Sequence, residues 1–368
     1  MHVQRVLSPA SRLESWTVLG GDDLPVPAIE RYLAYLTDVE RSPNTVRAYA
    51  HDLKDYFTFL DGRGLDWQRV RLEDIGEFVA WLRLPPAARD GRVSVLPTAC
   101  CQVSAATVNR KLSALSAFYQ HAARHGTDLG ELLIAWGPAR GRGGWKPFLH
   151  HISKSQPAGR RVIALKAARK LPRVLTVTEV QAILDGCGRL RDRLLLAVLY
   201  DTGMRVGEAL GLRHEDIAAA EREIRVVPRL NANGARTKSG TMRTIPVSGE
   251  LVRLYADYLH HEYGELDSDY VFVNLWGRPH GHPLTYPAVY DLVGRLRQQT
   301  GIDFSPHWCR HTAATRMLGA GIPVETVSAL LGHASVTTTL ATYGHLTSQD
   351  ARRVLESAGW FTRHRVSW

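Results

Sequence analysis

Between Leu132 and Thr178 the chain carries ten lysines and arginines and no aspartate or glutamate. The wider stretch from Gly126 to Leu171 is rich in glycine and proline, with Trp136, Trp145 and Phe148 scattered through it. Such a composition has no sustained apolar periodicity and cannot serve as the middle of one continuous core. It therefore divides the chain into two folding units. With 368 residues, each side is long enough to bury a core of its own. The segment is open to two readings: a solvated basic linker, or a strap that tracks phosphates, with Arg160 and Arg161 among its contacts. Its ten cations equal the excess of the whole chain, 46 Lys and Arg against 36 Asp and Glu. Clustered cations release counterions when they meet a polyanion, which favours the strap.

The flanks read as mostly helical. Residues 1–24 lack periodicity and are expected to form a tail. From Pro25 to 125 the pattern is that of a small all-helical domain. Ser42-Pro43 offers a side-chain cap followed by proline in the first turn. Val46, Tyr49, Leu53, Phe57 and Leu60 then recur at helical spacing, and Asp61-Gly62 closes the run. A shorter helix is predicted from Glu73 to Leu84, a loop from Pro85 to Ala99, and a further helix from Ser104, burying Val108, Leu112, Leu115, Phe118 and Tyr119. Arg47, Lys54, Arg110 and Lys111 fall on or near the opposite faces, as candidate nucleic-acid contacts or as plain solvation. Residues 126–172 form the basic connection, 173–360 a second domain, and 361–368 a tail. In the second domain Thr176-Val177-Thr178-Glu179 is a capping box. Helices are expected at about 177–185, 189–200, 206–210, 248–262, 285–299, 306–319, 323–331 and 348–357. Two strands, 223–227 and 241–247, flank a polar hairpin tip that holds Lys238. The fold class is thus mainly α with a small β-sheet.

Several classes are set aside by composition. Four cysteines, two of them adjacent at 100 and 101, make neither a disulfide scaffold nor a zinc site. Met1 to Arg12 has no apolar signal core, and Leu194 to Tyr200 is too short to cross a bilayer. A soluble protein of the reducing cytosol, with no membrane partner, is expected.

The chemistry lies in the second half. Arg205, His307, Arg310, His333 and Tyr343 make sense together around one phosphate. Arginines grip phosphate oxygens in a planar fork, histidines add hydrogen bonds, and a tyrosine oxygen can attack phosphorus. His307 and Arg310 share one face at a helix start, where free N–H groups favour an anion. Glu208, three residues after Arg205, is placed to hold that guanidinium. Each residue alone reads as ordinary surface or core; the set in order does not.

That set resembles the tyrosine recombinase (phage integrase) family. The matching stretches are Thr202-Gly203-Met204-Arg205-Val206-Gly207-Glu208-Ala209-Leu210, Thr237-Lys238-Ser239-Gly240 with Arg243-Thr244-Ile245-Pro246-Val247, Pro306-His307-Trp308-Cys309-Arg310-His311-Thr312, Leu331-Gly332-His333 and Thr342-Tyr343-Gly344-His345. Ser42 to Tyr49 with Asp52-Leu53, and Thr107-Val108-Asn109-Arg110, resemble the family's SAM-like core-binding module. His214 departs from the tryptophan common in relatives and reads as packing.

The resemblance implies a catalytic domain of the DNA breaking-rejoining fold and a role for each residue. Tyr343 would be the nucleophile, leaving a 3′-phosphotyrosyl bond and a free 5′-hydroxyl. Arg205 and Arg310 would clamp the non-bridging oxygens. His307 would donate a hydrogen bond and could take the tyrosine proton, and His333 would donate to the phosphate. Lys238 would protonate the leaving oxygen, with Arg236 and Arg243 as alternatives. Glu208 would support Arg205. No metal, ATP or other cofactor is implied. The partners would be double-stranded recombination sites, bridged by a homotetramer, with a possible directionality factor. Part of the connection, Val162 to Arg169, would order or turn helical on DNA. Ser348 to Ser357 or the tail would dock on a neighbouring subunit, and no arm-binding domain is expected before Pro25. The implied protein is bacterial or phage-encoded, cytoplasmic and nucleoid-associated, and integrates or excises a mobile element. A chromosome-dimer resolvase, a type IB topoisomerase-like relaxing enzyme and a non-catalytic DNA binder are the alternatives.

Overall fold

The computed structural model describes residues 1–7, 14–89, 103–127, 134–137, 158–166, 173–237, 240–333, 335–337 and 339. The chain divides into two compact units, Met1–Arg169 and Lys170–Trp368, each with its own core.

In the first unit, residues 1–24 are not the expected tail. β1 (His2–Leu7) pairs antiparallel with β2 (Glu14–Leu19), His2 opposite Leu19. Ser15, Thr17 and Val18 of β2 are buried. The Ser15 hydroxyl lies 2.8 Å from that of Thr37, and the Thr17 hydroxyl donates to Glu30, both on α1 (Pro27–Asp38). Polar side chains bind this strand down, so it left no apolar alternation to read.

Helix α2 (Pro43–Arg63) starts where its cap predicts. Ser42 Oγ accepts the Thr45 N–H at 3.3 Å, and Gly64 ends the helix at φ 63°. Then come α3 (Leu72–Arg83), a short α4 (Pro86–Arg89) in the expected loop, and α5 (Ala105–Ala123), capped by Ser104. The periodic faces of α2 and α5 supply most of the core. Only Tyr49, of the ten positions read from sequence, stays partly exposed. The Tyr56 and Tyr119 hydroxyls, fully enclosed, bond each other at 2.6 Å, and Tyr119 donates to the Trp67 carbonyl. That satisfies polar atoms that burial would otherwise penalise.

The connection contains structure that composition did not show. β3 (Ile134–Gly137) pairs with β4 (Ala158–Arg161), Ala135 opposite Arg160. Within 162–166 the Asn109 amide grips Leu165, Nδ2 donating to its carbonyl at 2.8 Å and Oδ1 accepting its N–H at 2.9 Å, and 167–169 lie outside the described residues. Ile163 and Leu165 pack on the first core. An amide side chain stands in for a strand partner there.

In the second unit the capping box forms as read: Thr176 Oγ1 accepts from the Glu179 N–H, and the Glu179 carboxylate accepts from the Thr176 N–H, opening α6 (Val177–Asp185). α7 (Leu190–Thr202) is buried on nearly all sides and ends at Gly203, φ 64°. A side chain at Gly203 would meet Leu331 at 2.8 Å and Ala313 at 3.0 Å. The end of α7 therefore packs tightly on two later helices. α8 (Val206–Leu210) follows. β5 (Ile217–Ala218), β6 (Glu223–Val226) and β7 (Arg243–Pro246) make one antiparallel sheet in that order, β5 being too short to read from sequence. α9 (Gly249–Tyr258), which runs on into a π turn, precedes α10 (Tyr286–Thr300), α11 (Pro306–Gly319) and α12 (Val324–Leu331). His214 does pack: Nδ1 bonds the Tyr255 hydroxyl at 2.6 Å, and the ring meets Tyr263 edge-on. No described helix is long and apolar enough to cross a membrane.

Candidate active site

The site is organised by the C-terminus of α12. The last carbonyls of a helix lack intrahelical partners and carry the negative end of its dipole. Three consecutive ones, at 330, 331 and 332, each accept from a different arginine. Arg243 Nε donates to Leu330 O at 2.7 Å. Arg310 donates to Leu331 O at 2.8 Å and, with its other terminal nitrogen, to Gly203 O at 2.9 Å. Arg205 reaches Gly332 O through both terminal nitrogens at 3.4 Å. Segments far apart in sequence thereby bring their guanidinium groups to one place. Gly332, φ 64°, ends α12 in the left-handed region, and His333 follows immediately.

Glu208 is the acidic counterpart. Its side chain is fully enclosed, and both oxygens are shared. They accept the Arg205 backbone N–H at 2.9 Å, the Arg205 guanidinium at 3.0 Å, and Arg243 at 2.6 and 3.3 Å. Burial pushes the Glu208 carboxyl up, but the hydrogen bonds and charge of Arg243, then those of Arg205, outweigh it and hold the group below its usual range. The carboxylate is ionised at neutral pH.

The histidines behave differently. Burial, then Arg310, Arg205 and Arg243, pull the His333 imidazole down to about 4. His333 Nδ1 lies 2.7 Å from the Thr339 hydroxyl. With that hydroxyl donating, Nε2 keeps the proton and is a neutral donor. His307, in the first turn of α11, stacks edge-on against His311 at 4.4 Å. Burial, then His307 and Arg310, bring His311 down to about 4 as well. The arginines are thus permanent cations, and the His333 and His311 imidazoles beside them are neutral at neutral pH.

Of the expected catalytic residues, the structure brings Arg205, Arg310 and His333 to the end of α12, and Glu208 beneath Arg205. Arg310 is enclosed, at 2% exposure, whereas the Arg205 side chain is 25% exposed. Lys238 and Tyr343 lie outside the described residues. The loop between β6 and β7 lies against α8 at Arg236. A side chain at Gly207 would collide with Tyr286 Oη and come within 2.7 Å of the Arg236 carbonyl. His311 and Thr339 were not singled out from sequence, since a second histidine and one threonine among several carry no distinctive spacing. In sequence Arg243 offers an alternative proton donor, and its place in the Arg243-Thr244-Ile245-Pro246 stretch marks the position without naming its partners.

Among the expected nucleic-acid contacts of the first unit, Lys111 needs correction. Lys111 is buried between two carboxylates of α2, 3.0 Å from Asp52 and 2.8 Å from Asp55. It is an internal counter-ion, not a free surface cation. Arg110 pairs with the same Asp52, and Lys54 lies 3.1 Å from Asp55. Arg47 stacks over Trp16 at 4.9 Å. The physical reason is Asp52, 2% exposed, whose charge demands partners from α5. Arg110, half exposed, retains an open side. Arg160 and Arg161 lie on β4 within a strand pair.

Known proteins agree with this architecture. The model of the phage integrase family matches residues 173–350, and that of the phage integrase N-terminal SAM-like domain matches 29–126. Transposase A from transposon Tn554 of Staphylococcus aureus (strain Mu50) is 38% identical over 356 residues, 96% of each chain. Tyrosine recombinase XerD of Mycobacterium tuberculosis (strain CDC 1551) is 31% identical over 328 residues, 84% of this chain and 90% of the relative. Among solved structures, a Tn1549 transposon integrase in complex with circular intermediate DNA shares the fold at TM-score 0.61 and 19% identity, covering 90% of this chain and 99% of that one. A lambda integrase dimer bound to a core site does so at 0.55 and 17%, covering 86% and 94%. On the family models and on the relatives that span nearly its full length, the chain belongs to the phage integrase family of tyrosine recombinases.

Proposed function

We propose that this chain, a site-specific tyrosine recombinase, moves a mobile element by cutting and rejoining double-stranded DNA through a covalent 3′-phosphotyrosyl intermediate. The observation that carries the reading is the pair Arg205 and Arg310, held together with His333 at the end of α12. Positive charge fixed in advance, on backbone acceptors that do not move, stabilises negative charge as it builds on a phosphorane.

In this mechanism the Tyr343 oxygen attacks phosphorus. The new O–P bond forms as the bond to the 5′-oxygen breaks. The phenol proton passes to His307, and the leaving oxygen takes a proton from Lys238. Neutral His333 donates to a non-bridging oxygen without adding a charge. Attack by a 5′-hydroxyl of the partner strand reverses the steps, so the phosphodiester energy is conserved. Four subunits hold two sites, aided by a directionality factor, in the cytoplasm near the nucleoid. The transposase relative, more similar and more fully covered than the Xer relative, favours element movement over dimer resolution.

The test is covalent trapping on nicked duplexes made from the junctions that flank the gene. The chain should form a denaturation-resistant adduct, and Tyr343→Phe should bind the same duplexes with unchanged affinity and form none. An adduct with the phenylalanine variant would remove Tyr343 from its role.

A further inference from the structure

Three arginines meet at the end of α12, and two of them are accounted for by the phosphate clamp. The third, Arg243 on β7, is 10% exposed. It touches both features that locate the other two: the Glu208 carboxylate that holds Arg205, and the Leu330 carbonyl next to the one that holds Arg310. Gly332 lies so close that a side chain there would come within 2.8 Å of the Arg243 guanidinium.

Charge balance gives the contact a purpose. Glu208 is a fully enclosed carboxylate. If Arg205 alone neutralised it, the pair would face a phosphodiester with no net charge. With Arg243 on the other edge, two guanidinium groups share one carboxylate, and the trio keeps one positive charge. We propose that Arg243 is a positioning residue for strand cleavage: it supplies the second counter-charge to Glu208, freeing Arg205 for the phosphate, and locks the α12 terminus that carries His333. It is not the proton donor considered from sequence, because a guanidinium in a protein does not give up its proton. This inference rests on the recombinase reading of the site.

The experiment measures single-turnover adduct formation on two nicked duplexes. One has the natural oxygen at the scissile 5′ position and the other a bridging sulfur, which leaves as a thiolate without needing an acid. Wild type should form the adduct on both and Tyr343→Phe on neither; if wild type fails, it is the recombinase reading that fails. Arg243→Gln should bind DNA within about twofold of wild type and cleave about 100-fold more slowly on both duplexes, the scale expected when reacting groups are misplaced. Arg243→Lys, which restores the charge but cannot also reach Leu330, should recover about tenfold. Wild-type cleavage by the glutamine variant, rescue of it by sulfur, or equal defects for glutamine and lysine would each overturn the proposal. If the glutamine variant does not melt cooperatively, the lysine variant decides: about tenfold slower on both duplexes supports the role, and wild-type cleavage or sulfur rescue refutes it.

Discussion

Gly207 shows how one residue can be constrained without any unusual backbone angle. The Tyr286 hydroxyl and the Arg236 carbonyl occupy the space a methyl group would need. The glycine lets the loop after β6 lie against α8 at Arg236, one position from Glu208. Gly207→Ala must push that loop or Tyr286 outward. The expected cost is about 1–3 kcal/mol of stability, the range for overpacking, with cleavage falling further than DNA binding. Urea unfolding alongside adduct formation checks both, and an alanine variant with wild-type cleavage would show that the loop at Arg236 tolerates displacement. Arg205, Arg310 and His333 were legible from sequence because their motifs are ordered. Arg243 was legible as a position but not as a role, since nothing in sequence tells which carboxylate an arginine meets.

Between elements, the α2–α5 contact shows the same limit. The apolar faces of both helices were readable, because helical periodicity is set by local geometry. The charged faces were not. Arg110 and Lys111 read as outward cations, yet Asp52 and Asp55 of α2 draw Lys111 inside. Removing one partner of a buried pair leaves the other uncompensated, so Lys111→Met should cost about 3 kcal/mol. It should leave the salt dependence of DNA binding unchanged, because Lys111 neutralises no phosphate. A decrease in the slope of log affinity against log salt by about one, with little loss of stability, would return Lys111 to the DNA surface. The β1–β2 hairpin escaped notice for a related reason: its buried residues include Ser15 and Thr17, polar groups satisfied by Thr37 and Glu30.

For the molecule as a whole, the expectation is a tetramer across two DNA sites, joined through the C-terminal segment. Deleting residues 347–368 should leave cooperative unfolding of the rest intact and abolish the four-subunit complex on paired duplexes, as judged by light scattering. Undiminished assembly would assign the contacts to another surface. What the sequence determined on its own was the division into two units, the helical class, the caps and the identity of the chemistry, because composition, periodicity and motif order act locally or through residue type. Only the tertiary structure decided which charges are paired inside and which face out, how Glu208 is shared between two arginines, and that one helix terminus collects three guanidinium groups. Those outcomes depend on which unsatisfied donors and acceptors meet when distant segments pack, a quantity no local pattern encodes.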